Sequence, residues 1–208
     1  MPLGTRIPPG RAGRMWLRRR LGTAERGRDQ LDRKLRILLP ELQRLRIQAG
    51  RLRAQWAAAC ADASTWLLRA TLLGGQDVLR KAEPSAPVEI ELTWTTAMGL
   101  RYPVDVTIVN PVEELPMPAG NSAIGPATAA FRTALRCGVR AAAADDAVRR
   151  VEAEIAVTRR RLRALEKRWL PWLQDALTGL EQSVELAEQE DGMRLRRAAA
   201  ALADRRPP

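Results

Sequence analysis

Leu17, Leu21, Ala24, Arg28, Leu31, Leu35, Leu38, Leu42, Leu45, Ala49, Leu52, Trp56 and Ala59 follow one another in an unbroken alternation of four- and three-residue steps. Only Arg28 among them is polar. A mean spacing of about 3.5 residues keeps one apolar stripe turned toward a partner helix, with a left-handed supercoil absorbing the mismatch with the α-helical period. The first third of the chain is therefore expected to form a coiled-coil helix.

A second stripe lies near the other end. Val148, Val151, Ile155, Thr158, Leu162, Leu165 and Trp169 repeat the alternation, and after Pro171 the stripe shifts by one position and continues through Leu173, Leu177, Leu180, Val184 and Ala187. Two long seams separated by a segment of different character predict two antiparallel helices zipped along their length. Each seam pairing with another chain is the alternative. The intramolecular arrangement is favoured because the tethered seam is always present at high effective concentration.

Composition agrees with long helices. Apolar residues make up 46% and charged residues 28%, yet the aromatics are six Trp, one Tyr and one Phe, too few for a large rounded core. The net charge of +11 is unevenly placed: residues 1–60 hold 15 Arg and Lys against 4 Asp and Glu, and the remaining 148 residues hold 20 against 20. Such a basic strip suits phosphates, anionic lipid or an acidic protein surface. The alternative is the solvated face of a helix in an arginine-rich protein, and only three of the 35 basic residues are lysine, which suggests codon bias as well as function. Cys60 and Cys137 form no metal motif, histidine is absent, and the two cysteines read as reduced thiols in a helical protein, with a bridge between them as the alternative if antiparallel helices bring them to similar heights. The Arg-rich start leads into the apolar stripe and not into an export signal. The longest uncharged run, 115–131, contains Pro116, Pro118, Gly120, Gly125 and Pro126 and is no spanning helix. A soluble, cytoplasmic chain is expected.

Along the chain, residues 1–13 read as an irregular leader with three prolines and three glycines, 14–83 as the N-terminal coiled-coil helix, 84–126 as a central β-hairpin and loop region, 127–203 as the C-terminal coiled-coil helix and 204–208 as a tail. The fold class is thus dominated by α-helix, a long antiparallel two-helix coiled coil with a small central hairpin. Sixty residues of helix would extend about 90 Å. Gly74-Gly75 is the expected stop or bend of the first helix, and Pro40 either kinks it or splits it in two. In the centre, Val88, Ile90, Leu92 and Trp94 alternate with Glu89, Glu91 and Thr93, and Val104, Val106 and Ile108 alternate with Asp105 and Thr107. This two-residue period predicts a half-buried hairpin over 88–109 with its turn in 96–100. Residues 110–126 read as loop, and Gly138 and Pro171 as weak points of the later helix.

Nothing in the sequence assembles a catalytic constellation or a glycine-rich phosphate loop. Asp145-Asp146, Glu113-Glu114 and Glu190-Asp191 read as surface charge. No cofactor and no metal are expected.

Three segments carry more than heptads. They are Arg14-Met15-Trp16-Leu17-Arg18-Arg19-Arg20-Leu21 with Ala24-Glu25-Arg26-Gly27 and Leu31; Met98-Gly99-Leu100-Arg101 with Pro103; and Thr158-Arg159-Arg160-Arg161-Leu162 with Ala164-Leu165-Glu166, Leu170-Pro171 and Leu173. In this order, and with the late cluster Glu188, Glu190, Asp191, Arg194, Leu195 and Arg196, the chain resembles the D subunit of the V-type and A-type rotary ATPases over essentially its whole length. It departs from that pattern at Lys34-Leu35-Arg36, Arg163, Gln174 and Pro40.

The resemblance implies a central rotor axle without catalytic residues, which transmits torque between a catalytic head and a membrane ion-translocating ring. It implies as partners the catalytic and non-catalytic head subunits, the F subunit of the central stalk and the adaptor above the membrane ring, with no nucleic acid and no membrane span, in a complex peripheral to the membrane on its cytoplasmic side. On that reading Arg11, Arg14, Arg18, Arg19 and Arg20 form a head-facing tip, with Arg194, Arg196 and Arg197 beside them if the helices are antiparallel. Leu17, Leu21, Leu31, Leu35, Leu42, Leu45 and Leu52 would form one side of the seam, and Ile155, Thr158, Leu162, Leu165 and Trp169 the other. Met98, Gly99, Arg101 and Pro103 would form the lower docking region, and Trp16, Trp56, Trp66, Trp169 and Trp172 would pack between helices or against a neighbour. The rival readings are a basic coiled-coil nucleic-acid binder and a free-standing helical-hairpin adaptor.

Overall fold

A computed structural model of the chain describes residues 7–81, 88–109 and 121–203. In order the elements are α1 (Gly10–Lys81), β1 (Ile90–Ala97), β2 (Leu100–Ile108), α2 (Ile124–Ala164), a π-turn (Leu165–Trp169) and α3 (Leu170–Ala203). Two long helical stretches with a small antiparallel sheet between them are the architecture that the two apolar periods predict. The chain divides into two compact units, residues 1–33 with 158–208 and residues 34–157.

In the first unit Leu17 and Leu173 are fully buried, Ala24 and Leu170 are nearly so, and Leu21, Leu165, Trp169, Trp172 and Leu177 pack around them. Each fully buried leucine contributes about 2 kcal/mol by leaving water. Arg11 pairs with Glu188 and Arg18 with Glu181, both at 2.7 Å. The partners ascend α1 and descend α3, so the helices run antiparallel.

The expected one-position shift of the apolar stripe has a structural cause. The backbone N–H of Leu170 reaches back to the Leu165 carbonyl, a five-residue span that inserts one extra residue into the turn before α3. The π-turn returns Leu173, Leu177 and Leu180 to the packed face. It also places Pro171, which lacks an N–H, at the second position of α3.

In the second unit Leu35, Leu38, Leu42, Leu45 and Ala49 of α1 are buried, as are Ala144, Ala147, Val151 and Ile155 of α2. Lys34–Glu154 at 2.6 Å, Arg46–Glu152 at 2.7 Å and Arg53–Asp145 at 3.2 Å join the two helices. Farther along, the seam changes to small side chains: Ala63 packs with Ala130 and Ala134, and Ala70 with Ala123, Ile124 and Ala127. Here Trp56 departs from the heptad expectation. It stands 46% exposed, with its indole nitrogen 3.0 Å from where a Cβ on Gly138 would lie. A seam of alanines and glycine is too narrow to enclose an indole, so the ring lies over the rim.

Pro40 neither breaks nor splits α1, because it occupies an exposed position off the packed stripe and the backbone around it stays helical. The break comes at Gly75, whose φ of 66° and ψ of −172° interrupt the helix before it resumes to Lys81. That left-handed φ is open to glycine at little cost and strains other residues. α1 begins at Gly10, inside the stretch read as leader. α2 begins at Ile124, where Asn121 supplies the start signal: its carbonyl accepts from the Ile124 N–H, its side-chain oxygen accepts from the Ala123 N–H, and its amide donates to the Ala70 carbonyl. The rest of the expected loop, residues 110–120, lies outside the described residues.

β1 and β2 pair antiparallel from Ile90↔Ile108 to Ala97↔Leu100, with a bulge opposite Thr93/Trp94. The turn is the two residues Met98-Gly99, with φ of 48° and 77°. Positive φ at both central positions is the hairpin turn whose twist matches the strands. The expectation of a half-buried sheet is corrected for β1. Ile90 and Leu92 are 47% and 40% exposed, whereas Tyr102, Pro103 and Val106 of β2 are buried. A pair of helices offers one narrow surface, and β2 occupies it.

Candidate functional site

Among the described residues no group of three or more His, Cys, Asp or Glu could hold a metal ion, and no helix is long and apolar enough to cross a membrane.

In the first unit, Arg11, Arg18, Arg19 and Arg20 are exposed and Arg14 is half-buried. Arg11 donates Nε and a terminal nitrogen to Glu188 at 3.2 and 2.7 Å, and this contact raises its pKa further. Arg20 lies 5.2 Å from the Trp16 ring centre. Arg194, Arg196 and Arg197 follow Glu188 along α3 and are exposed; Arg194 approaches Glu190 and Asp191 at 3.7 and 3.6 Å, and Arg196 donates to the Gly192 carbonyl. The tip is thus less purely basic than the arginine count implies, because α3 brings two glutamates to it.

Of the seam residues, Leu17, Leu35, Leu42, Leu45, Ile155 and Thr158 are buried, and Leu21, Leu31, Leu52, Leu162, Leu165 and Trp169 are partly buried. Thr158 is 1% exposed and is the polar residue in the buried set. Trp169 and Trp172 stack with ring centres 5.2 Å apart.

The second unit holds a polar clamp that sequence reasoning missed. The Tyr102 hydroxyl donates to Glu41 Oε1 at 2.8 Å. Arg44, one turn along, donates Nε to Oε2 at 2.9 Å and a terminal nitrogen to Oε1 at 2.6 Å. The fork of Arg44 holds the Glu41 carboxyl below the usual carboxylate range, with the Tyr102 bond adding to the effect. Burial first, then Glu41, pushes the tyrosine pKa up. A second clamp has Arg101 and Arg150 at 4.9 and 5.0 Å from the Trp94 ring centre. Together they press the hairpin along α1 and α2, so Arg101 and Pro103 flank Tyr102 opposite Glu41, and Met98-Gly99 form the free tip. A lone tyrosine beside a strand proline was the available signal; its partner, 61 positions away, was not visible in any local pattern.

The comparisons with known proteins decide what this arrangement belongs to. The family described as the ATP synthase D subunit matches residues 15–200. The chain belongs to that family. It is 30% identical to the A-type ATP synthase D subunit of Pyrococcus abyssi, with 97% of each chain covered. It is 27% identical to the V-type ATP synthase D subunit of Thermotoga neapolitana over 92% of this chain and 96% of that one. With the V-type D subunit of Thermus thermophilus the identity is 28%, over 93% and 87%. The family match therefore spans both long helices and the hairpin between them.

Proposed function

We propose that this chain is the central-stalk rotor of an A/V-type ATP synthase and carries torque between the catalytic head and the membrane ion-translocating ring, without catalytic residues of its own. The observation that carries the proposal is the antiparallel pairing of α1 with the C-terminal helices inside each unit, in a chain of the ATP synthase D-subunit family. A shaft must resist twisting, and two helices locked along a seam resist it better than one. It must also present an uneven surface, so that each angle favours a different state of the surrounding sites.

On this reading the basic end with Arg11, Arg14, Arg18, Arg19 and Arg20 meets acidic loops of the catalytic and non-catalytic head subunits. Exposed pairs of about 0–1 kcal/mol suit a surface that must slide. The hairpin, with Met98, Gly99, Arg101 and Pro103, is the docking element for the lower stalk, where the F subunit and the membrane-ring adaptor join. The complex sits peripherally on the cytoplasmic face of the membrane.

The deciding experiment is to purify the native complex through a tag on this chain and assay ATP turnover and rotation. Stoichiometric head subunits and turnover that depends on this chain are expected; steep, salt-dependent binding to duplex DNA with no head subunits would replace the reading. Arg18→Glu, Arg19→Glu and Arg20→Glu together should weaken torque or assembly, and unchanged values of both would remove the tip assignment. Deletion of 88–109 should abolish adaptor binding, and retention of that binding would remove the hairpin assignment.

A further inference from the structure

The first half of β1 is uncovered. Residues 89–93 are all exposed, on both faces of the sheet, and β1 pairs with β2 alone. On the other flank of the sheet, Asp105–Ile108 of β2 line a cleft together with Arg136, Val139 and Arg140 of α2. The backbone phase is set by the bond from the Val109 N–H to the Glu89 carbonyl. In an antiparallel ladder this makes Glu89, Glu91 and Thr93 the residues that bond to β2, and it points the N–H and C=O groups of Ile90 and Leu92 outward. An open edge with free backbone groups is a template for another strand.

The side chains specify what kind of strand. Glu89 and Glu91 project on the face shared with Asp105, and Ile90 and Leu92 on the face shared with Val106 and Ile108. The edge is thus acidic on one face and apolar on the other, within a chain of net charge +11. A second copy of this chain is a poor occupant, since antiparallel pairing of β1 with itself would oppose glutamates to glutamates. An extended segment alternating Lys or Arg with Val or Ile would continue both faces and satisfy the outward backbone groups.

We propose that β1 is a docking edge for such a basic–apolar alternating strand from a partner protein, added antiparallel through Ile90 and Leu92. The inference goes beyond the rotor role and is tested on the full chain in isolation. Three fluorescein-labelled octapeptides serve as probes: alternating Val-Lys, alternating Val-Glu, and four Val followed by four Lys. Fluorescence anisotropy at physiological salt should show saturable binding of alternating Val-Lys, at least about tenfold tighter than either control. Because the whole chain repels a cation, that preference would have to arise locally. Glu89→Lys with Glu91→Lys should weaken the binding at least about tenfold, and so should Leu92→Pro, which removes an N–H that points away from β2, while circular dichroism stays unchanged. No binding, equal binding of the four-Val, four-Lys peptide, or equal binding by either variant would overturn the proposal. Sedimentation showing a dimer of this chain dispersed by Leu92→Pro would overturn it in favour of self-pairing.

Discussion

Tyr102 donates its hydroxyl to Glu41 at 2.8 Å across 61 positions of sequence, and Arg44 grips the same carboxylate. This is where the hairpin is fastened to α1. Tyr102 is the only tyrosine in the chain, so a near-ultraviolet titration isolates it. Burial and Glu41 favour the neutral phenol, so its midpoint should lie above the ordinary value of about 10. Glu41→Gln should bring the midpoint down. The linkage follows from both partners. Glu41 is depressed, so its stabilisation is present above the ordinary carboxylate range and is lost as pH falls through the depressed value. Tyr102 is raised, so its stabilisation is present below about pH 10 and is lost as pH climbs through the raised value. A midpoint at or below that of free tyrosine would contradict the clamp.

Leu17→Ala removes a side chain with no exposed surface from the cluster around Leu173. A loss of about 2–5 kcal/mol is expected from lost transfer energy and the residual cavity. Urea unfolding followed by circular dichroism measures it. A loss below about 1 kcal/mol would mean that the first unit collapses around the gap.

Deleting the exposed Lys167 should convert the π-turn into ordinary helix and leave the face of α3 in phase. Thermal stability is then expected to change little. Deleting the exposed Asp175, inside the packed part of α3, rotates every later residue by about 100° and turns Leu177 and Leu180 away from the cluster around Leu17. The second deletion should lower the melting temperature much more than the first, and equal effects would discredit the role given to the π-turn.

Trp94→Ala takes away the ring approached by Arg101 and Arg150. Each cation–ring contact is worth about 0.5–1 kcal/mol at a partly exposed site. Amide exchange in β1 and β2 should accelerate while the buried stretch of α1 around Leu38 and Leu42 stays protected. Equal acceleration in both regions would show that the hairpin and the helices open as one body.

Helical periods and strand alternation were legible because each is a local rule: the backbone turns at a fixed angle, and burial repeats with it. Leu17, Leu38, Leu45, Val151 and Ile155 occupy buried positions for that reason. The shift of the stripe after Pro171 was visible too, although its cause, one extra residue in a turn, emerges only from the backbone. What stayed hidden depends on the neighbour. Trp56 fits the heptad yet lies on the rim because Gly138 and the alanines opposite leave no hole for it. Ile90 and Leu92 alternate like core residues yet stay exposed because β2 fills the one surface on offer. The pairing of Arg11 with Glu188 was hidden as well, because register cannot be counted from chain ends.

Among the described residues, Arg11–Glu188, Arg18–Glu181, Lys34–Glu154, Arg46–Glu152 and Arg53–Asp145 cross between helices, and each of these pairs places the cation on α1 and the anion on the returning arm. In a parallel, in-register pair of two α1 helices from different molecules, cation would stand against cation at each of these heights. That polarity favours closure of the chain on its own tail over such a pairing with a sibling.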